Sequence, residues 1–208
     1  LSLFFANKLS SGPEKIPLPQ GARTFLKGLI KWGSIAAVGI ISLVLGTIVA
    51  GQWEILLKFW NATPFGISDP VYNRDVSFYV FSLPVLKFLQ NWLLGGTIVL
   101  LLATLALYFV NYSFRGVGLL FTPSFKVHIS IIAAALMFII AFGHWLTRWE
   151  LVLSTNGIVF GATYADINAR QPALLIMTIV AGAAGVMMVV NTYLKGVRPF
   201  LGAAGLWV

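Results

Sequence analysis

The sequence predicts an all-α protein, a polytopic transmembrane helix bundle with two long extracytoplasmic interfacial loops. Three observations carry this. First, residues 32–53, 88–114, 127–147 and 171–194 contain no Asp, Glu, Lys or Arg. Each run reaches the roughly 20 residues that a helix rising ~1.5 Å per residue needs to cross ~30 Å of hydrocarbon. Second, the chain is 59% hydrophobic and only 10% charged, against about 25% charged for a soluble domain. Third, its basic residues gather at the ends of the apolar runs, where lipid head groups lie. Core helices of soluble proteins rarely run this far without a charged face, which sets that alternative aside.

The elements follow in order. Residues 1–31 are expected to hold the tail of an earlier span, Leu1-Ser2-Leu3-Phe4-Phe5, and a cytoplasmic basic linker broken by Pro13, Pro17 and Pro19. Arg23, Lys27 and Lys31 then recur every fourth residue among apolar neighbours, a basic amphipathic turn leading into the membrane. The membrane domain, 32–208, has spans expected at about 32–53, 85–114, 125–148 and 170–194, with the start of another at 199–208. Between the first two spans, Trp53, Leu56, Leu57 and Trp60 share a helical face opposite Glu54, Lys58 and Asn61, which predicts a short interfacial helix. Thr63-Pro64-Phe65-Gly66 breaks it, and Ser68-Asp69-Pro70 is turn chemistry. Pro84 is expected to open the next span, since proline is tolerated in a first helical turn.

Charge sets the orientation. The first, third and fifth connections hold nine of the Lys and Arg residues and one acid, Glu14; the second and fourth hold five basic residues and five acids. The positive-inside rule puts the first group in the cytoplasm and the long, aromatic connections outside. The membrane expected is the bacterial plasma membrane, or a thylakoid membrane in a photosynthetic source. The net charge of +8 does not point to nucleic acid, because no basic stripe with stacking aromatics lies away from a membrane-flanking position. The absence of cysteine removes disulfides, thiolate metal sites and cysteine nucleophiles.

Chemistry-bearing motifs are sparse. There is no phosphate-cradling glycine loop, no zinc-protease helix and no nucleophile elbow, so no catalytic, metal or cofactor residue is assigned. His128 and His144 share the third span, ~24 Å apart along its axis. Ligation of haem or a chlorophyll-type pigment is the sharper reading. No second span carries matching histidines, so hydrogen bonding to a neighbouring helix is the preferred one. Gly33 with Ala37, Gly46 with Ala50, Ala181 with Gly185, and Ala133-Ala134-Ala135 are expected at helix contacts. The remaining candidates are polar residues of the outer loops: Asp69, Arg74, Asp75, Arg148, Glu150, Tyr164, Asp166, Asn168 and Arg170. Converging carboxylates there could hold a cation or a polar head group. Caps and ion pairs are the plainer explanation, and Asp166 with Arg170 has helical pairing distance.

The same loops carry a resemblance. Phe65-Gly66, Asp69-Pro70, Tyr72, Asp75, Phe78-Tyr79, Phe81 and Leu83-Pro84, then Arg148-Trp149-Glu150-Leu151, Gly161-Ala162, Tyr164, Asp166, Asn168-Ala169 and Pro172, resemble two signatures of uncharacterised protein family 0182. Ala165 and Gln171 depart from that pattern. The resemblance implies a bacterial protein of seven spans followed by a large extracytoplasmic region, with this chain covering the end of the second span through the start of the seventh. It implies no activity. The function expected is a non-enzymatic scaffold holding an extracytoplasmic module or a partner complex at the membrane. The alternatives are a transporter or lipid-handling protein, and an outer-face enzyme built on the four loop carboxylates. Expected partners are the lipid bilayer and membrane proteins or a missing extracytoplasmic domain of the same polypeptide.

Overall fold

The structure is a computed structural model that describes residues 2–3, 6, 19–114, 122–155, 160–193 and 205. Among the described residues the regular structure is helical: α1 (Gln20–Ala50), α2 (Trp53–Trp60), α3 (Leu83–Phe114), α4 (Pro123–Glu150) and α5 (Gln171–Asn191). Four helical stretches are long and apolar enough to cross a membrane, Thr24–Ala50, Phe78–Ser113, Pro123–Leu153 and Asp166–Asn191. The protein is thus an all-α membrane protein. Hydrocarbon offers the backbone no water, and a helix satisfies its own N–H and C=O groups.

Some boundaries differ from expectation. The basic turn and the first span form one helix, because α1 starts at Gln20, directly after the extended Pro19. Nothing between Arg23 and Lys31 interrupts helical bonding, and lysine and arginine are good helix formers. The first half of the basic linker and the segment expected at 199–208 lie outside the described residues, apart from Gly205. The interfacial helix is present as α2, with Glu54 and Lys58 paired at 2.7 Å and Trp53 and Trp60 exposed.

Pro84 does not open its helix. A π-helical turn, Phe78–Ser82, precedes Leu83-Pro84, so the helical path is already under way when the proline arrives. The same device recurs: a π turn, Asp166–Arg170, precedes Gln171-Pro172. A proline inside a helix lacks the N–H for its i−4 bond and crowds that carbonyl. A wider turn just before it relieves both.

By its internal contacts the chain divides into two compact units, Leu1–Gly51 with Ile98–Ile129, and Gln52–Thr97 with Ser130–Val208. The first contains α1, none of whose described side chains is buried. Its core is Ala6, Tyr108 and Tyr112, with the Phe125 ring set edge-on to Tyr108 at 4.8 Å. The second is built on Tyr79, Leu83, Leu146 and Trp149, with Ala134 against Met188 as a further contact.

The small-residue patches divide in the same way. Ala181, Ala184 and Gly185 are buried, and a Cβ on Gly185 would meet the Phe138 ring at 3.0 Å. Gly143 faces Gln90 still more closely, at 2.7 Å. Gly33 and Gly46 meet nothing within 4 Å, so among the described residues their spacing marks no helix contact. Overpacking a close contact costs about 1–3 kcal/mol. Gly185→Leu is therefore expected to lower the thermal unfolding midpoint in detergent, while Gly46→Ala leaves it unchanged or slightly raised, by up to ~1 kcal/mol of helix propensity.

Candidate functional site

The best-organised polar structure lies in the second unit, in the connection between α2 and α3. Asp69 precedes Pro70, and its carboxylate folds back on the following backbone as aspartate does in turns. Oδ1 accepts the N–H groups of Val71 (2.8 Å) and Tyr72 (2.9 Å). Oδ2 accepts the Arg74 N–H (3.1 Å) and the Tyr79 hydroxyl (2.7 Å). The Asp69 N–H bonds the Arg74 carbonyl at 2.8 Å, closing the loop. Asn73 takes the left-handed conformation inside it (φ 53°), a region asparagine visits more readily than most residues. Asp69 is only 6% exposed. Burial pushes its carboxyl up, but the donors from Tyr72, Tyr79, Arg74 and Val71 outweigh that and hold it below its ordinary value.

This loop docks on the end of α4. The Tyr72 hydroxyl donates to the Arg148 carbonyl at 2.8 Å, and its ring meets Trp149 at 4.7 Å. The Arg74 guanidinium sits over two rings, Trp149 at 4.9 Å and Phe78 at 5.1 Å. Burial pushes the Tyr72 hydroxyl above its ordinary range, and the nearby Arg148 charge pulls it the other way. Beside them Lys87 bridges Glu150 (2.8 Å) and the Thr147 hydroxyl (3.1 Å).

The other expected site residues have separate partners. Asp75 accepts the N–H groups of Phe65, Gly66 and Ser77. The Ser77 hydroxyl and N–H, then Phe65 and Gly66, lower its carboxyl to about 2. Asp166 accepts from the Thr163 hydroxyl (2.8 Å) and N–H (3.0 Å) and pairs with Arg170 at 3.0 Å, as its spacing suggested. The Asn168 amide donates to the Tyr164 carbonyl, and the Tyr164 side chain is exposed. Among the described residues no three His, Asp or Glu side chains come together as a metal site. The structure therefore brings together Asp69, Arg74 and Arg148 around Tyr72, Tyr79 and Trp149, and leaves Asp75 and Asp166 to local partners and Glu150 to Lys87. Lys87 and Thr163 are the partners sequence reasoning passed over. Thr163 stands three residues before Asp166, a capping spacing, whereas Lys87 reaches across to another helix.

His128, in the first unit, is held at both nitrogens, by Ser2 Oγ (2.8 Å at Nε2) and the Tyr108 hydroxyl (3.3 Å at Nδ1). Ligation of a haem or pigment metal would have to displace one of them.

The buried Asp69 cage yields a stability prediction. Hydrogen bonds to a charged group contribute about 1.5–3 kcal/mol each, and an asparagine has a single oxygen acceptor. Asp69→Asn should cost about 2 kcal/mol and lower the thermal midpoint. Both loop carboxyls lie below their ordinary value of 3.8. The stability they contribute is thus present above that value and lost as pH falls through the folded value, about 2 for Asp75. The midpoint should hold steady from neutral pH to about 5 and fall between about 4 and 2, less steeply in Asp75→Asn.

Comparison with known proteins supports the sequence signatures. The uncharacterised protein family UPF0182 matches residues 4–208. A UPF0182 protein of Synechococcus sp. is 36% identical over 162 residues, 77% of this chain and 19% of that protein. One from Thermobifida fusca is 33% identical over 182 residues, 85% of this chain and 17% of its own length. One from Moorella thermoacetica is 36% identical over 159 residues, 76% of this chain and 18% of its own. The chain thus spans less than a fifth of each of these relatives. No solved structure matches it. With two loop signatures, four apolar helices and this match along nearly its whole length, the chain belongs to the uncharacterised protein family UPF0182.

Proposed function

We propose that this chain is the membrane part of a non-enzymatic scaffold that holds an extracytoplasmic module, or a partner complex, at the surface of the bacterial plasma membrane. In a photosynthetic source the thylakoid membrane is the alternative location. The observation that supports this most is how the loop acids are used. Each of Glu54, Asp69, Asp75, Glu150 and Asp166 is engaged by a lysine, an arginine, a hydroxyl or backbone N–H groups of the protein itself. Carboxylates so engaged fix loop shape. A firmly shaped loop on chemically plain spans suits a fixed mounting. The relatives' much greater length provides a candidate for what is mounted.

Orientation follows from charge. The connections holding Lys8, Lys15, Arg23, Lys27, Lys31, Arg115, Lys126, Lys195 and Arg198 face the cytoplasm, and those holding Asp69 and Asp166 face outward. Since the chain has no cysteine, Asn61→Cys and Lys27→Cys report sidedness cleanly. A membrane-impermeant maleimide added to spheroplasts should label the first and spare the second. Mild-detergent purification of the full-length protein should bring down stoichiometric protein partners, or show the extracytoplasmic region bound to the loops. A full-length protein that runs alone, with that region freely tumbling, would rule the scaffold out.

A second reading, transport or lipid handling, is favoured by one observation. Thr104 and Tyr108, fully buried within a span, cluster with Ser2 and His128. Polar side chains buried at depth mark pathways in transporters. His128→Phe would abolish flux on this reading and leave the scaffold intact.

A further inference from the structure

The chain leading into α2 fixes the level at which that helix begins. Between Lys31 and Glu54 the sequence carries no charge, and that run has the length a helix needs to cross ~30 Å of hydrocarbon. The far boundary of the hydrocarbon therefore lies close to Ala50, where α1 ends. α2 begins at Trp53. Two intervening residues reach at most about 7 Å when extended, so α2 starts where acyl chains give way to head groups. It also packs on the π turn Phe78–Ser82, which opens the next membrane-crossing stretch.

At ~100° per residue α2 has three sides. Ile55 and Leu56 are half-buried. Glu54 and Lys58 share a second side and pair at 2.7 Å. Trp53, Leu57 and Trp60 fall within ~60° of one another and are 66%, 55% and 78% exposed. No residue of α2 is buried. A helix of this length is marginal in water unless a face is covered, and a contiguous apolar face of this kind marks a contact. The cover that chain continuity offers is lipid. Tryptophan favours the boundary between head groups and acyl chains. An apolar side next to a polar one is what a helix lying in the membrane surface presents. Charge adds nothing to this attachment. Glu54 neutralises Lys58, and residues 51–77 hold three acids against two bases, so the connection offers no basic surface to anionic lipids.

We propose that Trp53, Leu57 and Trp60 insert among the acyl chains of one leaflet, held by apolar burial and indifferent to head-group charge. The inserted face then sets the depth at which the chain leaves the membrane for the loop built on Asp69. The inference is independent of the scaffold reading and of which side of the membrane α2 occupies. It requires only that the chain sit in a membrane.

Electron paramagnetic resonance of the full-length protein in dioleoyl-phosphatidylcholine vesicles tests it. A nitroxide is attached at Leu57→Cys or at Lys58→Cys, each as the single cysteine, and its collisions with oxygen and with a water-soluble nickel chelate give its depth. The Leu57 label should meet oxygen in preference to nickel and lie about 5–10 Å below the phosphates. The Lys58 label, one residue on, should meet nickel and lie at or above them. Neither raised salt nor added dioleoyl-phosphatidylglycerol should move the Leu57 label. Should Leu57→Cys fail to fold, Trp53→Cys and Trp60→Cys carry the same expectation. A Leu57 label as open to nickel as the Lys58 label places the face in water and overturns the proposal. A Leu57 label shielded from both reagents means that protein covers the face, and also overturns it. A depth that shifts with salt or with phosphatidylglycerol means that charge holds the helix, against the proposal.

Discussion

A hydrocarbon phase supplies no hydrogen bonds, and this constraint organises the whole chain. Every backbone group within the bilayer must find its partner inside its own helix. Among the described residues irregular backbone is confined to the connections, where water and head groups are at hand. The two places where a proline threatens that rule, Pro84 and Pro172, are handled alike, by a π turn one step upstream. The turns stand at the ends of the spans, where a widened helix leaves no unsatisfied group in lipid.

The connections meet the opposite demand. With little apolar core available to a short loop, shape comes from polar bonding. Asp69 takes four donors from residues no more than ten positions away. A carboxylate used in this way behaves as a covalent crosslink would, fixing the path of the chain through local bonds. The long-range fastening is aromatic: Tyr72 and Phe78 close on Trp149. Together they hold Arg74 over the Trp149 ring.

Much of this was legible in the residues. The charge-free runs located the four spans, and Trp53, Leu56, Leu57 and Trp60 located α2 with its Glu54–Lys58 pair. The Asp166–Arg170 pair followed from spacing. What could not be read was anything set by contact between distant segments. Gly33 with Ala37 and Gly46 with Ala50 have the same spacing as Ala181 with Gly185, yet among the described residues only the last pair is buried against a neighbour. Spacing describes one helix face and is silent on what lies opposite. The loop polar residues gave the same difficulty. Nine of them were candidates on type alone; which partner each acid takes depends on Tyr79, Lys87 and Thr163, whose partnerships arise only on folding. The π turns were hidden too, since a proline near a helix start looks the same whether or not a wide turn precedes it.

Those π turns let the two connections carry a residue that a plain helix would not accommodate. A π turn amounts to an α-helix carrying one added residue. In an unbroken α-helix an added residue would turn everything upstream by about 100° about the helix axis. The wide turns at Phe78–Ser82 and Asp166–Arg170 absorb it locally, so each loop keeps its facing toward its helix. Tyr79 lies inside the first of them, and from there its hydroxyl reaches Asp69. Each turn thus acts as a phase setting between a loop and its helix.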